Sequence, residues 1–167
     1  MSRLRAAFHT LGCKTNHYET DGMRQQFVRA GFEVVPFTEP ADVYVVNTCT
    51  VTAEADRKSR QMLRRAKQVN PAALVVAVGC QVVFSGSAKW ADLSLGNQDK
   101  SRIAESVRAA LTGQSPANEP EQPSLYDEFG SVDHQSETRA YVKIEDGCNN
   151  ACAYCAIPLA RGRVRSR

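Results

Sequence analysis

The sequence predicts an α/β fold, an open parallel sheet with helices on both faces, and three observations carry that reading. Short runs such as 43–46 and 74–78 are apolar throughout, as strands buried on both faces are. Longer segments, notably 53–69, carry helical periodicity with one apolar face. The two kinds of segment alternate from the start of the chain, and right-handed crossovers leave few arrangements for alternating elements other than a parallel sheet.

Residues 5–11 read as the first strand, ending in Gly12-Cys13. A helix over 18–30 follows through Met23, Phe27 and Ala30, with Gly31 as its stop. Residues 32–35 are a short second strand and 36–41 a turn; the apolar run 43–46 then leads into Asn47-Thr48-Cys49. The segment 53–69 places Ala55, Ser59, Met62, Leu63, Ala66 and Val69 on one face, and Asn70-Pro71 ends it. Residues 74–78 form another buried strand that delivers Gly79-Cys80. No clear helix is expected over 81–91; a last strand at 92–95 and a last helix at 101–111 complete the first domain, 1–111.

The segment 112–137 holds Gly113, Pro116, Pro120 and Pro123 among Gln, Asn, Glu and Ser, and reads as a linker. After it, 138–144 alternates like a strand and runs into Gly147-Cys148. Length and composition agree with this division: 167 residues with 43% hydrophobic content suit one domain and an appendage. No apolar run reaches the roughly eighteen residues of a spanning helix, and Met1-Ser2-Arg3-Leu4-Arg5 lacks the apolar stretch of a signal peptide. The expected setting is the cytoplasm, with no membrane partner. There, six cysteines read as metal ligands or redox groups before disulfides. A net charge of +3 gives no strong electrostatic case for nucleic acid, so distribution must carry it.

The cysteines fall into two sets of three. Cys148, Cys152 and Cys155 sit on one short loop with gaps of three and two residues, a spacing suited to an iron-sulfur cubane with one iron left open. Cys13, Cys49 and Cys80 each lie one to three residues past a predicted strand end. In an open parallel sheet those ends share one edge, where ligands bind, so a second cluster is expected there. The bland alternative is that each is a small buried residue. His9 and His17 flank Cys13 and His134 lies in the linker; none of the three is expected to be a ligand.

The loop Gly147 to Cys155, with Tyr154 before its last cysteine, resembles the signature of radical S-adenosylmethionine enzymes. Together with Thr10 to Asn16, Asn47 to Thr52, Val78-Gly79-Cys80 and the stretch to Arg167, it resembles the radical methylthiotransferases over nearly the whole chain. Ala55 to Gln61 is most similar to the bacterial branch acting on threonylcarbamoyladenosine in tRNA. The resemblance implies two 4Fe-4S clusters, an auxiliary one on Cys13, Cys49 and Cys80 and a radical one on Cys148, Cys152 and Cys155. It implies S-adenosylmethionine as both methyl donor and radical source, and methylthiolation at C2 of the modified adenine beside the anticodon. It also implies contact of Tyr154 with S-adenosylmethionine, and a flavodoxin or ferredoxin type reductant as partner. Arg161, Arg163 and Arg165 would lie between clusters and substrate, pointing one way on an extended segment. A second basic set, Arg57, Arg60, Arg64 and Lys67, recurs on the polar face of the 53–69 helix; it suits either RNA phosphate or simple solvation.

On this reading 138–167 is the start of a radical-enzyme barrel. A barrel of strand-helix units needs on the order of 200 residues, so the chain is expected to be a fragment that does not catalyse alone. Two readings from other classes stay open: a ribosomal protein methylthiotransferase, and a non-catalytic iron-sulfur electron carrier or scaffold.

Overall fold

All six residues of Val43–Thr48, the apolar run 43–46 with Asn47 and Thr48, are buried, and this strand forms the middle of a five-stranded sheet. In the computed structural model, which describes residues 3–50, 52–85, 89–114, 129, 132–133, 138 and 140–166, the strands are β1 (Arg5–Thr10), β2 (Glu33–Val35), β3 (Val43–Thr48), β4 (Leu74–Gly79) and β5 (Leu93–Leu95). Their order is β2-β1-β3-β4-β5 and every pairing is parallel. The expected fold class is therefore present in the first domain.

Alternate residues of the central strands feed two cores, as period-two geometry requires. Val43 and Val45 of β3 and Val76 and Val78 of β4 meet Met23 and Phe27 of α1 (Lys14–Arg29) and Ile103 and Val107 of α4 (Ile103–Leu111). Tyr44 and Val46, with Val75 and Ala77, meet Leu63 and Ala66 of α2 (Ala53–Val69). Each large apolar side chain so buried contributes about 1.5–3 kcal/mol. Phe27 adds an edge-to-face contact with Phe8 at 5.0 Å between centroids. Helix α2 has the bounds its apolar face predicts, and Thr52 caps it by accepting a hydrogen bond from the Ala55 amide at 3.1 Å.

Three elements differ from expectation. Helix α1 begins at Lys14 rather than at 18, because its first turns are buried yet polar: Asn16, Glu19 and Thr20 are each 1% exposed. Cys80 opens a short helix, α3 (Cys80–Ser85), where none was expected; six residues are too few to display helical periodicity. Helix α4 starts at Ile103 after a 3-10 segment at Asn97–Arg102.

Beyond α4, the predicted strand at 138–144 is not formed among its described residues. Pairing falls instead on β6 (Glu145–Asp146), antiparallel to β7 (Arg165–Ser166), with α5 (Ile157–Arg161) between them. Val142 and Ile144 remain 70% and 66% exposed, so the alternation that suggested a strand has no neighbouring sheet to bury against here. Most of the expected linker, with His134, lies outside the described residues; of those described, Phe129 packs on Gly22 of α1 and Asp133 accepts a hydrogen bond from Gln25 at 2.8 Å. Among the described residues no helix is long and apolar enough to cross a membrane.

Candidate metal centre

Strands β1, β3 and β4 are adjacent and parallel, with Thr10 beside Asn47 and Thr48 beside Gly79, so the loops after them leave from one edge. Cys13 and Cys49 occupy the first two of those connections, and Cys80 follows β4 directly as the first residue of α3. The order β2-β1-β3-β4-β5 reverses direction between β1 and β3, and the crevice at such a switch point is where open α/β sheets bind ligands. Cys13 and Cys49 follow the two strands that border it. Cys49 and Cys80 are each 4% exposed, whereas Cys13 is open to solvent.

The backbone at this edge depends on glycine. Gly12 has φ +100°, and a Cβ there would stand 2.7 Å from the Cys49 sulfur. Only a residue without a side chain lets the first two cysteine loops approach so closely. Polar groups hold the loops in place. Asn16 Nδ2 donates to the carbonyls of Leu11 at 2.7 Å and Thr48 at 3.1 Å, Asn47 Nδ2 donates to the Asn16 carbonyl at 2.9 Å, and Thr48 Oγ1 donates to the Val78 carbonyl at 2.8 Å. The Cys80 sulfur accepts from Asn97 Nδ2 at 3.6 Å.

The second set lies together on one loop. Cys148, Cys152 and Cys155 line a single cavity of about 440 Å³ whose wall includes Leu159 and Arg163. The loop is tied by its backbone: the Cys148 amide donates to the Gly162 carbonyl at 3.1 Å, and the Cys155 amide to the Cys152 carbonyl at 3.0 Å. The Asn150 amide points at the Cys148 sulfur at 3.4 Å. Tyr154 is 93% exposed and is not part of the cavity wall.

The donor chemistry fits two iron-sulfur clusters. All six thiols are free of disulfides, thiolate is the soft ligand such clusters take, and N–H groups already face two of the sulfurs. Among the described residues, no three His, Cys, Asp or Glu side chains stand within reach of one common metal ion, so the positions of the thiols set two neighbourhoods rather than two finished coordination spheres.

The arginines after the loop divide. Residues up to Arg161 are helical and only Arg165–Ser166 is a strand, so the three side chains do not share one direction. Arg163 is exposed on the cavity wall. Arg165 reaches the Arg161 carbonyl at 3.2 Å and lies 3.6 Å from Asp146. Arg161, 6% exposed, turns the other way, into the α/β domain. It donates through Nη1 to Glu19 and Asp146, both at 2.8 Å, and through Nη2 to Asn16 Oδ1 at 2.9 Å and Glu19 at 3.3 Å. Glu19 also pairs with Lys100 and, at 2.7 Å, with Lys143.

Burial alone would push the Glu19 carboxyl up, but Lys100, Arg161 and Lys143 outweigh it and hold the group well below the usual carboxylate range. Burial likewise opposes ionisation of Asp146, and Arg161 and Lys143 overcome it in the same direction. Periodicity reading passed over this cluster because its members are charged. The available signal was positional: Asn16, Glu19 and Thr20 continue, at helical spacing, the same stripe as Met23 and Phe27.

The polar face of α2 is largely self-paired. Arg57 bonds Glu54 at 2.7 Å, Arg60 meets Asp56 at 2.6 Å, Lys67 meets Asp92 at 2.7 Å, and Arg64 stacks over Trp90 at 4.1 Å. His9 rests against Phe37, with burial first and Arg65 second keeping its imidazole below the ordinary value.

Fold and site together define a class: a doubly wound α/β domain with thiols at its ligand edge, joined through buried charge to a second thiol loop. The chain belongs to the family described as uncharacterized protein family UPF0004, whose profile matches residues 5–92. It is 42% identical over 168 residues to the threonylcarbamoyladenosine tRNA methylthiotransferase MtaB of Bacillus subtilis, covering 96% of this chain and 37% of that protein. It is 39% identical to the Aquifex aeolicus protein of the same name, covering 98% of this chain and 42% of the relative. A ribosomal protein uS12 methylthiotransferase, RimO of Moorella thermoacetica, is 32% identical over 98% of this chain and 39% of its own length. The chain thus spans about two fifths of the length of these relatives.

Proposed function

We propose that this chain is the N-terminal part of a tRNA methylthiotransferase, one that places a methylthio group at C2 of threonylcarbamoyladenosine beside the anticodon. The observation that supports the reading is the placement of Cys13, Cys49 and Cys80 directly after three adjacent parallel strands, at one edge of the sheet, with the Cys148, Cys152 and Cys155 loop docked by Arg161 on the same domain. Identities of 42% and 39% to relatives named for threonylcarbamoyladenosine, against 32% and 36% to two ribosomal protein uS12 methylthiotransferases, favour the tRNA substrate.

The substituted carbon bears no acidic proton, so ordinary acid-base or nucleophilic side-chain chemistry does not serve and no such constellation is proposed. When bound, a cluster held by three thiolates offers an open iron to S-adenosylmethionine and a low-potential electron for cleaving it, with a flavodoxin or ferredoxin type protein as the electron source. The chain's own residues supply binding and orientation. Cys148, Cys152 and Cys155 would hold one cluster and Cys13, Cys49 and Cys80 the other. Arg163 presents a cation on the wall of the first cavity, suited to a carboxylate ligand. The Asn150 amide and the Asn97 side chain direct N–H groups at one sulfur of each set, the interaction by which proteins tune cluster potential.

Anaerobic reconstitution with iron and sulfide tests the reading. About eight irons per chain are expected from two four-iron clusters, with about four after Cys13, Cys49 and Cys80 are together replaced by serine. Zinc in place of iron sinks the scheme. Nucleoside mass spectrometry of a deletion strain separates the branches: loss of the methylthio group from threonylcarbamoyladenosine is expected, and an unmodified ribosomal protein with intact nucleosides refutes the tRNA assignment.

A further inference from the structure

Arg161 and Glu19 are 142 residues apart in sequence, yet they form the centre of a buried cluster of charged side chains. The cluster has a defined place. Glu19 lies on α1 just beyond Cys13; Asp146 and Lys143 lead into Cys148, and Arg161 ends the helix that follows Cys155. On the side of the third cysteine, Asn97 Nδ2 reaches both the Cys80 sulfur at 3.6 Å and the Ala160 carbonyl at 2.8 Å. Lys100, three residues on and 2% exposed, pairs with Glu19. The contacts of Arg161 with Glu19 and Asn16, of Lys143 with Glu19 and of Asn97 with the Ala160 carbonyl run between an element next to one cysteine set and an element next to the other, while Lys100–Glu19 and the pairs on Asp146 brace each side. Surface ion pairs of this number would add little, but charges this deeply desolvated do not tolerate loss of a partner. Apolar residues would seal the same junction as well, so what the fork of Arg161 adds is direction: two carboxylates and one amide oxygen are matched only in one docked orientation.

We propose that Arg161 is a positioning residue that docks the Cys148–Cys155 loop on the sheet edge carrying Cys13, Cys49 and Cys80, making the two thiol sets one body before any cofactor is bound. That purpose rests on the two-cluster reading above; the docking itself does not. It also removes Arg161 from the residues that face substrate and leaves Arg163 as the arginine on the open wall.

The test uses the full metal-free chain, with alkylation of each thiol followed by mass spectrometry. Cys80 is covered from the side of α5, which packs on α3, whereas Cys49 is covered by the sheet edge itself, beneath Gly12 and beside Ser59. Arg161→Lys keeps a charge and loses the fork, and Arg161→Gln loses both. In Arg161→Gln Cys80 is expected to react about 100-fold faster, the factor matching loss of a buried charged partner, and in Arg161→Lys faster by a smaller factor, while Cys49 keeps its wild-type rate in both. Unchanged Cys80 rates in both variants overturn the proposal. Equal acceleration of Cys49 and Cys80 also overturns it, since the residue would then support only global stability. The reconstitution experiment fails independently: a chain that binds no iron but shows selective Cys80 exposure refutes the function and not the docking.

Discussion

Glu19→Gln is the sharpest perturbation of this fold, because it keeps shape and removes only charge. The carboxylate is 1% exposed and faces Lys100 at 2%, Arg161 at 6% and Lys143 at 11% side-chain exposure. Breaking a buried pair by removing one partner costs about 3–5 kcal/mol, since the surviving charge stays desolvated. Asp146 still neutralises part of Arg161 and Lys143 after the change, which argues for the lower end, about 3 kcal/mol. With a urea slope of about 1.5 kcal/mol/M, the unfolding midpoint at pH 7 should fall by roughly 2 M. The thermal midpoint should fall by about 10 °C. Glu54→Gln, in an exposed pair with Arg57, is the matched control and should leave the urea midpoint where it was. Midpoints for Glu19→Gln and Glu54→Gln that coincide would refute the reasoning, because the charges at the junction would then be as well solvated as those on α2.

Acid should find the same cluster. Glu19 and Asp146 both titrate below their ordinary values when folded, so the unfolded chain takes up their protons first. Stability from these groups is full above their unfolded values of about 4, and it is lost as pH falls from about 5 toward 2. Glu19→Gln should flatten that decline, and a wild-type midpoint that stays constant between pH 5 and 3 contradicts it. At the cysteine edge, Gly12→Ala places a methyl group 2.7 Å from the Cys49 sulfur at φ +100°, whereas Gly31→Ala, at φ +86°, meets nothing within 4 Å. The second should cost only the left-handed strain of about 1–2 kcal/mol, and the first measurably more. Equal urea midpoints for the two would show that the Gly12 loop yields freely.

Most strand and helix identities before residue 112 were legible in the residues because they depend on neighbours in sequence, the short helix at Cys80–Ser85 being the exception. The runs at Val43 and Leu74 must be buried on both faces, and the apolar stripe of α2 sets its own bounds. The placement of Cys13, Cys49 and Cys80 just past strand ends was legible too, and with it the prospect that they share an edge. Tertiary structure alone decided how those ends are ordered. The β2-β1-β3-β4-β5 arrangement puts β3 between β1 and β4, and so sets Cys49 between the other two loops. It also decided the fate of the charged residues. Nothing local distinguishes Glu19 from a solvated glutamate on a helix, or Arg161 from Arg163 two residues on. Their burial depends on partners 81 to 142 residues away, and a charge becomes an interior residue only where the fold delivers its counter-charge to the same place.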